Sequence, residues 1–364
     1  MREPAKKAGG QAGNREQALR GVHARATEGV FHWIFGSCRV RLGLGQGGGS
    51  IILPRPSDGG QGMDIVIRHR FNSENNVTLF KGDCRKLLAK IPDGAAQLVI
   101  TSPPYNIGKE YEPRQTLDEY LELQKAVIAE CVRIVRPGGS LCWQVGHHVN
   151  GHQQVIPLDL LLHPFFKEHE QTSGVRLRNR IVWHFGHGLH CQRRFSGRHE
   201  TILWYTKGDV YAFNLDAVRV PQKYPGKRAY KGPRKGEYSC NPLGKNPGDV
   251  WDLPNVKGNH VEKTAHPCQF PIELPERLIL ALSRLGDLVV DPFIGVGTTA
   301  VAAVLHGRRV AGADLFTRYL EIAEERVLEA FRGKVSRRPM AKPIYEPEPN
   351  TSLTTSPFKI AKAV

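Results

Sequence analysis

Apolar residues recur along the middle of the chain in two alternating patterns. Short apolar runs that end at turn residues predict strands in VTLFKGD, AQLVIT, SLCWQVG, RNRIVWHF, HETILWYTK, LVVDPF and RRVAGADL. Between several of them, apolar residues spaced three and four apart predict helices in IPLDLLLHPFF, FPIELPERLILALS, GTTAVAAVLHG and FTRYLEIAEERVLEAFRG. This alternation is typical of a mostly parallel sheet with helices on both faces, so the predicted fold class is α/β.

The longest predicted helix lies in TLDEYLELQKAVIAECVRIVRPGG. Thr116 is a candidate N-cap and Glu119 follows three residues later, which is the spacing of a capping box. The apolar stripe of the helix consists of Leu117, Leu121, Ala126, Val127 and Ile134. Pro137 and Gly138 are expected to end the helix.

The two ends of the chain differ from this body. Residues 1–62 contain the glycine clusters GLGQGGGS and SDGGQG and one apolar patch, GVFHWIFG. Because glycine carries the largest ordering cost, we expect a disordered leader or a reading frame that extends upstream of a natural start at Met63. Residues 333–364 are rich in Pro, Ser, Thr and Lys, which predicts a disordered basic tail.

The net charge of +16 over 364 residues favours a polyanionic partner. Residues 1–62 contribute +5 and residues 333–364 contribute +4, so the body carries only +7. Seven scattered cysteines without a C-x-x-C pair favour reduced thiols and a cytoplasmic location. No apolar stretch approaches the roughly 18 residues of a membrane helix.

A candidate nucleoside site lies in DLVVDPFIGVGTTAVAAVLHG. An apolar strand leads into a loop with Gly295 and Gly297, and a helix opens at Thr298, so backbone N–H groups can approach a ligand closely. Asp314 ends the next strand, where an acid can accept both hydroxyls of a ribose. The loop is neither G-x-G-x-x-G nor followed by a phosphate-binding Lys, which favours a nucleoside without a polyphosphate.

A second unusual stretch is LVITSPPYNIGKEYE, where an apolar strand ends in Ser102, Pro103, Pro104 and Tyr105. Two prolines cannot donate backbone hydrogen bonds, and each fixes φ near −65°. The strand therefore ends by presenting a hydroxyl, rigid carbonyls and an aromatic ring.

With S-P-P-Y upstream of D-P-F-x-G-x-G-T-T, the chain resembles the amino-directed DNA methyltransferases, in the motif order of their permuted beta class. The resemblance covers residues 77–332 and includes KGDCRKLL, RIVRPGGSL, RNRIVWHF with RRFSGRHETILWYTK, and HPCQFPIELPERLI. It implies a Rossmann-like, circularly permuted methyltransferase fold. Residues 63–206 would form its catalytic half, 207–264 a target-recognition insert and 265–332 its cofactor-binding half.

The resemblance implies S-adenosyl-L-methionine as the cofactor. Its expected contacts are Asp83, Cys84, Asp291, Phe293, Gly295, Gly297, Thr298, Asp314, His266 and Gln269. In HPCQFP, Cys268 and Phe270 stand where the family usually has Thr and Lys.

The resemblance also explains the chemistry of S-P-P-Y. An exocyclic amine of a base is a poor nucleophile, so it needs acceptors that orient its lone pair toward the methyl group. The Ser102 side chain and the Pro103 carbonyl would accept the two amine hydrogens, and Pro104 would stiffen the loop. Tyr105 would stack on a base flipped out of the duplex. Ser before Pro-Pro favours N-4 of cytosine, and N-6 of adenine is the alternative.

Double-stranded DNA is the expected partner of a monomer or homodimer that could be paired with a restriction endonuclease, in the cytoplasm and on the nucleoid. The insert has eleven Lys/Arg against six Asp/Glu. Phosphate and base-edge contacts are expected from Arg193, Arg194, Arg198, Lys227, Arg228, Lys231, Arg234 and Lys235.

Other interpretations fit these residues less well. HFGHGLHC has zinc-like histidine spacing but lacks a second Cys pair, so no metal is expected. His147, His148 and His152 would line the pocket mouth or belong to a solvated loop. RNA- and protein-glutamine methyltransferases usually carry N-P-P-Y, and a catalytically silent nucleic-acid-binding relic would not be expected to keep every motif.

Overall fold

The computed structural model describes residues 65–106, 108, 115–149, 154–188, 190–344, 348–351 and 355, with the strand backbone at 26–27, 30–35, 38–43 and 50–53. The chain divides into two compact units, Met1–Val66 and Ile67–Val364. Among the described residues, no helix is long and apolar enough to cross a lipid bilayer.

The first unit contains four short strands: β1 (Ala26–Thr27), β2 (Val30–Phe35), β3 (Cys38–Gly43) and β4 (Ser50–Leu53). Each pairs antiparallel with the next. The glycine-rich composition did not anticipate this pairing. The rest of the expected leader up to residue 62 lies outside the described residues, and its nature stays a prediction.

The second unit is built on one mixed sheet. Its strands are β5 (Ile65–Arg68, which begins in the first unit), β6 (Val77–Lys81), β7 (Ala96–Thr101), β8 (Val135–Val145), β11 (Val175–His184), β12 (His199–Lys207), β13 (Val250–Asp252), β14 (Leu288–Asp291) and β15 (Arg309–Asp314). From β6 onward the order is β6-β15-β14-β7-β8-β12-β11-β13. The pairs from β6 to β8 are parallel, whereas β8, β12 and β11 are antiparallel. A separate hairpin joins β9 (His147–Val149) and β10 (Val155–Pro157).

This order makes β7 and β14 neighbours, with Leu98 opposite Val289 and Val99 opposite Val290. The S-P-P-Y segment follows β7, and the glycine loop follows β14. Because parallel strands end at the same edge of a sheet, the two segments emerge side by side. The mostly parallel α/β architecture predicted from the sequence is confirmed.

Two groups of helices cover the sheet. The first group comprises α1 (Cys84–Leu88), α2 (Leu117–Ile134) and α3 (Leu158–Lys167), and α4 (Glu170–Ser173) follows it in the chain. The second comprises α5 (Glu273–Leu282), α6 (Thr298–Leu305) and α7 (Thr317–Phe331). Leu288 and Val290 join the core under the first group, so Val289 between them faces the second group.

Helix α2 begins as predicted. The Thr116 hydroxyl accepts the Glu119 N–H at 3.2 Å, and the Glu119 carboxylate accepts the Thr116 N–H at 2.7 Å. The helix ends at Ile134, three residues before the expected stop, because β8 already begins at Val135. Pro137 disfavours helical backbone at the residue before it, which helps to end the helix early.

The segment expected to form the target-recognition insert is described throughout. Between Lys207 and Thr264 its regular structure is a 3-10 turn (Asp216–Val218) and β13. The first residues of the C-terminal segment are held by ion pairs, although the composition of the segment predicts disorder. Arg338 pairs with buried Glu273 at 3.0 Å, and Arg337 contacts Glu276 at 2.5 Å. Buried carboxylates need such partners, and these hold the start of the predicted tail.

Gly297, which caps α6, has a φ of +74°, and an added Cβ would lie 2.7 Å from the Ala323 Cβ of α7. We expect Gly297→Ala to lower the free energy of unfolding by about 1–3 kcal/mol more than Gly286→Ala, because overpacking adds to backbone strain. Gly286 is the matched control, since its φ is +78° but nothing lies within 4 Å. Urea unfolding measures the difference, and equal losses would contradict the packing argument.

Candidate functional site

A cavity of about 1100 Å³ opens at the carboxyl ends of β6, β7, β14 and β15. It brings together most of the residues predicted from the sequence. These are Asp83, Cys84, Ser102, Pro103, Pro104, Tyr105, Arg194, His266, Gln269, Phe293, Gly295, Thr298 and Asp314. Segments from both halves of the chain therefore build one site.

Asp314 ends β15 with its carboxylate beside the glycine loop. Its Oδ1 accepts the Phe316 N–H at 2.7 Å, and the Gly295 N–H also bonds to the carboxylate. Burial raises the pKa of this carboxyl group above its usual value. Gly295 has a φ of +51°, and an added Cβ would lie 3.7 Å from His266 Nε2. Asp314 thus offers an acceptor to a ligand, and Gly295 offers a backbone that no side chain covers.

Asp83 caps helix α1 at the end of β6. Its carboxylate accepts the Arg85 N–H at 2.8 Å and pairs with the Arg85 guanidinium at 2.5 Å. The side-chain bond to Arg85 holds the pKa of Asp83 below its usual value. Burial raises the pKa of the neighbouring Cys84 thiol to about 12. Asp83 thus supplies a fixed negative charge, while Cys84 supplies an uncharged wall.

His266 and Gln269 border the cavity from the segment before α5. The His266 ring packs edge-on against Tyr319 at 4.5 Å, and its Nδ1 accepts the Cys268 N–H at 3.2 Å. The Gln269 amide accepts the Thr264 hydroxyl and donates to the Glu262 carbonyl, each at 2.8 Å. The Gln269 amide therefore helps to fix the conformation of its own loop at the cavity.

Two predicted cofactor contacts have other roles in the structure. The Asp291 side chain does not line the cavity: it is buried and accepts the Thr101 hydroxyl at 2.7 Å and the Thr299 hydroxyl at 2.6 Å. Burial raises its pKa to about 6. Asp291 thus ties the end of β7 to the start of α6. Gly297 is also absent from the lining, because α7 packs directly against it.

Ser102 and Tyr105 form the other end of the cavity with two residues that sequence reasoning missed. Ser102 Oγ lies 3.0 Å from the Tyr105 hydroxyl, which also receives the Gln144 Nε2–H at 2.7 Å. The Tyr105 hydroxyl donates to Glu200 Oε2 at 3.1 Å, and Gln144 contacts the same carboxylate. In the sequence, the one signal for Glu200 is that it places a carboxylate at the start of the apolar strand HETILWYTK.

Burial dominates the electrostatics of this network. It raises the pKa of Glu200 to about 7, although bonds from Tyr105 and Gln144 oppose the shift. Burial, followed by the charge of Glu200, raises the pKa of Tyr105 well above its usual value. The phenol therefore stays protonated and acts as a donor, while Glu200 changes charge near neutral pH.

The predicted DNA-binding residues fall into two groups. Arg193 and Arg194 are exposed on the loop between β11 and β12, while half-buried Arg198 bonds to the Gly197 carbonyl at 2.9 Å. In the insert, all five predicted residues are exposed: Lys227, Arg228, Lys231, Arg234 and Lys235. Arg228 stacks on Tyr238 at 4.1 Å, and Arg234 pairs with Glu237 at 2.8 Å. Of both groups, only Arg194 lines the cavity.

The histidine-rich segment that begins at the end of β11 shows no metal-like cluster in its described part. His184 pairs instead with Asp252 of β13 at 2.6 Å. Nowhere in the described ranges do three or more His, Cys, Asp or Glu side chains form a group that could hold a metal ion.

Comparisons with known proteins converge on one family. The family model described as DNA methylase matches residues 96–325. The type II methyltransferase M.BglII of Bacillus subtilis is 47% identical over 266 residues, which is 73% of either chain. The DNA adenine methyltransferase YhdJ of Escherichia coli K12 is 32% identical over 263 residues, covering 71% of this chain and 84% of YhdJ.

Solved structures give the same fold. TTHA0409 of Thermus thermophilus, in complex with S-adenosyl-L-methionine, matches with a TM-score of 0.50 at 28% identity, over 71% of this chain and 98% of TTHA0409. The cytosine-N4-specific PvuII DNA methyltransferase matches with a TM-score of 0.54 over 70% of this chain and 90% of its own. At 20% identity, the second likeness concerns the fold alone.

Proposed function

The chain belongs to the DNA methylase family and is an S-adenosylmethionine-dependent DNA amino-methyltransferase, and we propose which base it methylates. The proposed target is N-4 of cytosine in a specific duplex sequence. The observation that carries the proposal is that Ser102 and Gly295 line one cavity, at the ends of neighbouring strands. An acceptor for an amine and a loop suited to a nucleoside therefore lie in the same site.

The residues at the cofactor end fit S-adenosylmethionine. When bound, the cofactor supplies an electrophilic methyl group on a sulfonium. Asp314 would accept hydrogen bonds from the ribose hydroxyls, and Gly295 leaves the close approach that a side chain would fill. Asp83 would hold the adenine end, with Phe293 on the cavity wall. Asp291 would act indirectly, by holding Thr101 and Thr299 in place.

The catalytic end acts by orienting the amine. Its two hydrogens need two acceptors, for which we assign Ser102 Oγ and the Pro103 carbonyl. Proline fixes the backbone at this point, so the acceptors are preorganised for the positive charge that develops on nitrogen. Alignment of the lone pair with the methyl carbon would supply much of the remaining rate. Because the amine is inaccessible inside a duplex, the base must be flipped into the cavity.

The choice of cytosine rests on Ser102, since a hydroxyl before Pro-Pro favours cytosine and a carboxylate favours adenine. The relative YhdJ, named an adenine methyltransferase, makes N-6 of adenine the alternative. The test is to methylate unmodified genomic DNA with isotope-labelled cofactor, digest it to nucleosides and measure their masses. Labelled N4-methyldeoxycytidine is expected, whereas labelled methyldeoxyadenosine alone would overturn the base assignment and leave the family standing.

We assign the insert 207–264 to target recognition, together with the loop that carries Arg193 and Arg194. Exposed cations in both segments suit a phosphate backbone, and their contacts would fix the register on the duplex. Next to Arg194, which lines the cavity, Phe195 is fully exposed, at 101% of its reference area. An exposed ring on a loop that borders the cavity suits the gap that a flipped base leaves in the stack.

Phe195→Ala is therefore expected to lower single-turnover methylation of duplex DNA roughly tenfold, since base–aromatic stacking contributes about 1–3 kcal/mol. Fluorescence of 2-aminopurine at the target position should report less flipping in the variant. Leu285→Ala is the matched control, because Leu285 is also exposed but precedes β14 at the opposite edge of the sheet. Unchanged rate and fluorescence for Phe195→Ala would remove Phe195 from the DNA interface.

We further propose that a restriction endonuclease of the same specificity accompanies the enzyme. The name of M.BglII, a type II methyltransferase, supports this pairing. DNA from a host that expresses the chain should resist one endonuclease in a panel of type II enzymes. If every endonuclease in the panel cleaves this DNA, the chain does not share the specificity of any of them.

A further inference from the structure

The Ser102–Tyr105–Glu200 network has an internal order of donors and acceptors. Tyr105 has one hydroxyl hydrogen and already receives a hydrogen bond from Gln144 at 2.7 Å. When Glu200 is ionised it can only accept, so Tyr105 donates to it across 3.1 Å. The 3.0 Å contact between Ser102 and Tyr105 must then be donated by Ser102.

This order decides what Ser102 offers to a base. With its hydrogen directed at Tyr105, Ser102 Oγ turns its lone pairs toward the cavity, where an amine presents hydrogens. If Glu200 is protonated, the chain of bonds can reverse, and Ser102 then points a hydrogen at a group that also donates. The charge of Glu200 therefore sets whether Ser102 can accept.

We propose that Glu200 is the terminal proton acceptor of methyl transfer, reached from the amine through Ser102 and Tyr105. The proposal rests on methyl transfer at Ser102 as proposed above, but it does not depend on which base is methylated. Glu200 acts through two hydroxyl groups, so it is a positioning residue for Ser102 as well as the final proton site.

The proton balance is complete within these groups. The nitrogen lone pair forms the bond to the methyl carbon, and the carbon–sulfur bond breaks with its electron pair left on sulfur. One N–H bond of the methylated amine then breaks, and its electron pair returns to nitrogen. That proton passes to Ser102 Oγ as the Ser102 proton moves to the Tyr105 oxygen and the Tyr105 proton moves to Glu200 Oε2.

The surroundings of Glu200 suit this role. The carboxylate lies at the start of β12, facing Tyr105 of the catalytic loop and Gln144 of β8. Lys257 of the insert is the cation whose charge favours its ionised form. His147 of β9 also lines the cavity, and burial, then Arg194 and His199, lower its pKa. A carboxyl group with a pKa of about 7 is poised to accept a proton at neutral pH.

Glu200→Gln tests the proposal by the pH dependence of single-turnover methyl transfer. The wild-type rate should fall about tenfold per pH unit below the Glu200 pKa and level off above it, because only the ionised form accepts a proton. In Glu200→Gln this fall in rate at low pH, the acid limb of the profile, should disappear. The rate at pH 8 should fall about a hundredfold. A retained limb, or a rate within twofold of wild type, would overturn the proposal.

Two companion variants separate the relay from folding. Tyr105→Phe keeps the ring and Glu200 but breaks the relay, so it should also lose the limb even if Glu200→Gln misfolds. Glu324→Gln is the control, because burial also raises the pKa of Glu324 on α7 while His69 is its ion-pair partner at 3.8 Å. A limb that survives in Tyr105→Phe, or one that vanishes in Glu324→Gln, would contradict the relay.

A readout without turnover completes the test. Carbon NMR of carboxyl-labelled glutamate in the protein should show a group titrating near neutral pH that Glu200→Gln removes. Cofactor affinity should be equal in wild type and variant.

If no DNA is methylated by any form, the proposed function fails while the titration still reports on Glu200. If adenine is methylated, the pH profile is measured on that product and the relay is judged unchanged. A carboxyl group that does not titrate between pH 6 and 8 would overturn the assignment.

Discussion

Replacement of Ser102 by alanine is expected to lower the turnover of methyl transfer about 10²- to 10³-fold, with cofactor affinity unchanged. In the proposed mechanism, the change removes one of two acceptors for the amine hydrogens and leaves the nitrogen lone pair poorly aligned. Loss of one preorganised hydrogen-bonding group typically has an effect of this size. Ser102 lies at the Tyr105 end of the cavity, whereas Asp314 lies at the other, so binding of the cofactor should not depend on it. Single-turnover transfer of labelled methyl to DNA and calorimetric titration of the cofactor give the two quantities.

Ser73→Ala is the control for this substitution. Its hydroxyl is exposed on the turn before β6, at the opposite edge of the sheet, and it bonds to neighbouring Glu74 at 3.3 Å. Its turnover should match that of the wild type. If Ser102→Ala turned over within threefold of the wild type, Ser102 would no longer belong to the catalytic group.

The second large effect is expected at the cofactor end. Asp314→Ala should weaken binding of S-adenosylmethionine about 10- to 150-fold, because a hydrogen bond to a charged group contributes about 1.5–3 kcal/mol. Burial raises the pKa of this carboxyl group, so wild-type affinity should fall as the pH drops through that raised pKa. The same pH dependence should be absent in the variant, and calorimetry at several pH values measures both.

Asp314→Asn separates the charge from the local fold. Its side-chain oxygen can still accept the N–H of Phe316, which the carboxylate accepts at 2.7 Å, so the turn after β15 should remain intact. If Asp314→Asn binds with an affinity between those of the wild type and Asp314→Ala, the difference between the wild type and Asp314→Asn is assigned to the charge. Affinity equal to the wild type in both variants would remove Asp314 from the cofactor site.

The sequence predicted the parts of this structure whose signals are local. The capping box of α2 involves residues three apart, so Thr116 and Glu119 reveal it without knowledge of the fold. Ser102 and Gly295 stand in segments whose turn chemistry and motif resemblance place them at strand ends. Their meeting in one cavity then follows from the rule that parallel strands end at a common edge.

The missed features depend on contacts between distant segments. Glu200 reaches Tyr105 only because β12 pairs with β8, where Gln144 lies opposite Ile202. Nothing local shows that this carboxylate points into the cavity. Asp291 was expected at the cofactor, but the hydroxyl groups of Thr101 and Thr299 draw its carboxylate inward. In each case the direction of one side chain was decided by residues far away in the chain.

The bond between Thr101 and Asp291 joins residues 190 positions apart, with the entire insert in the intervening chain. The two strands that carry the site meet through the sheet rather than through a direct connection. In evolutionary terms, the order in which a gene encodes these two strands is free to change while the site stays the same. If the insert reads DNA as proposed, recombination can likewise replace it without disturbing the chemistry, so new sequence specificities can arise on a constant catalytic body.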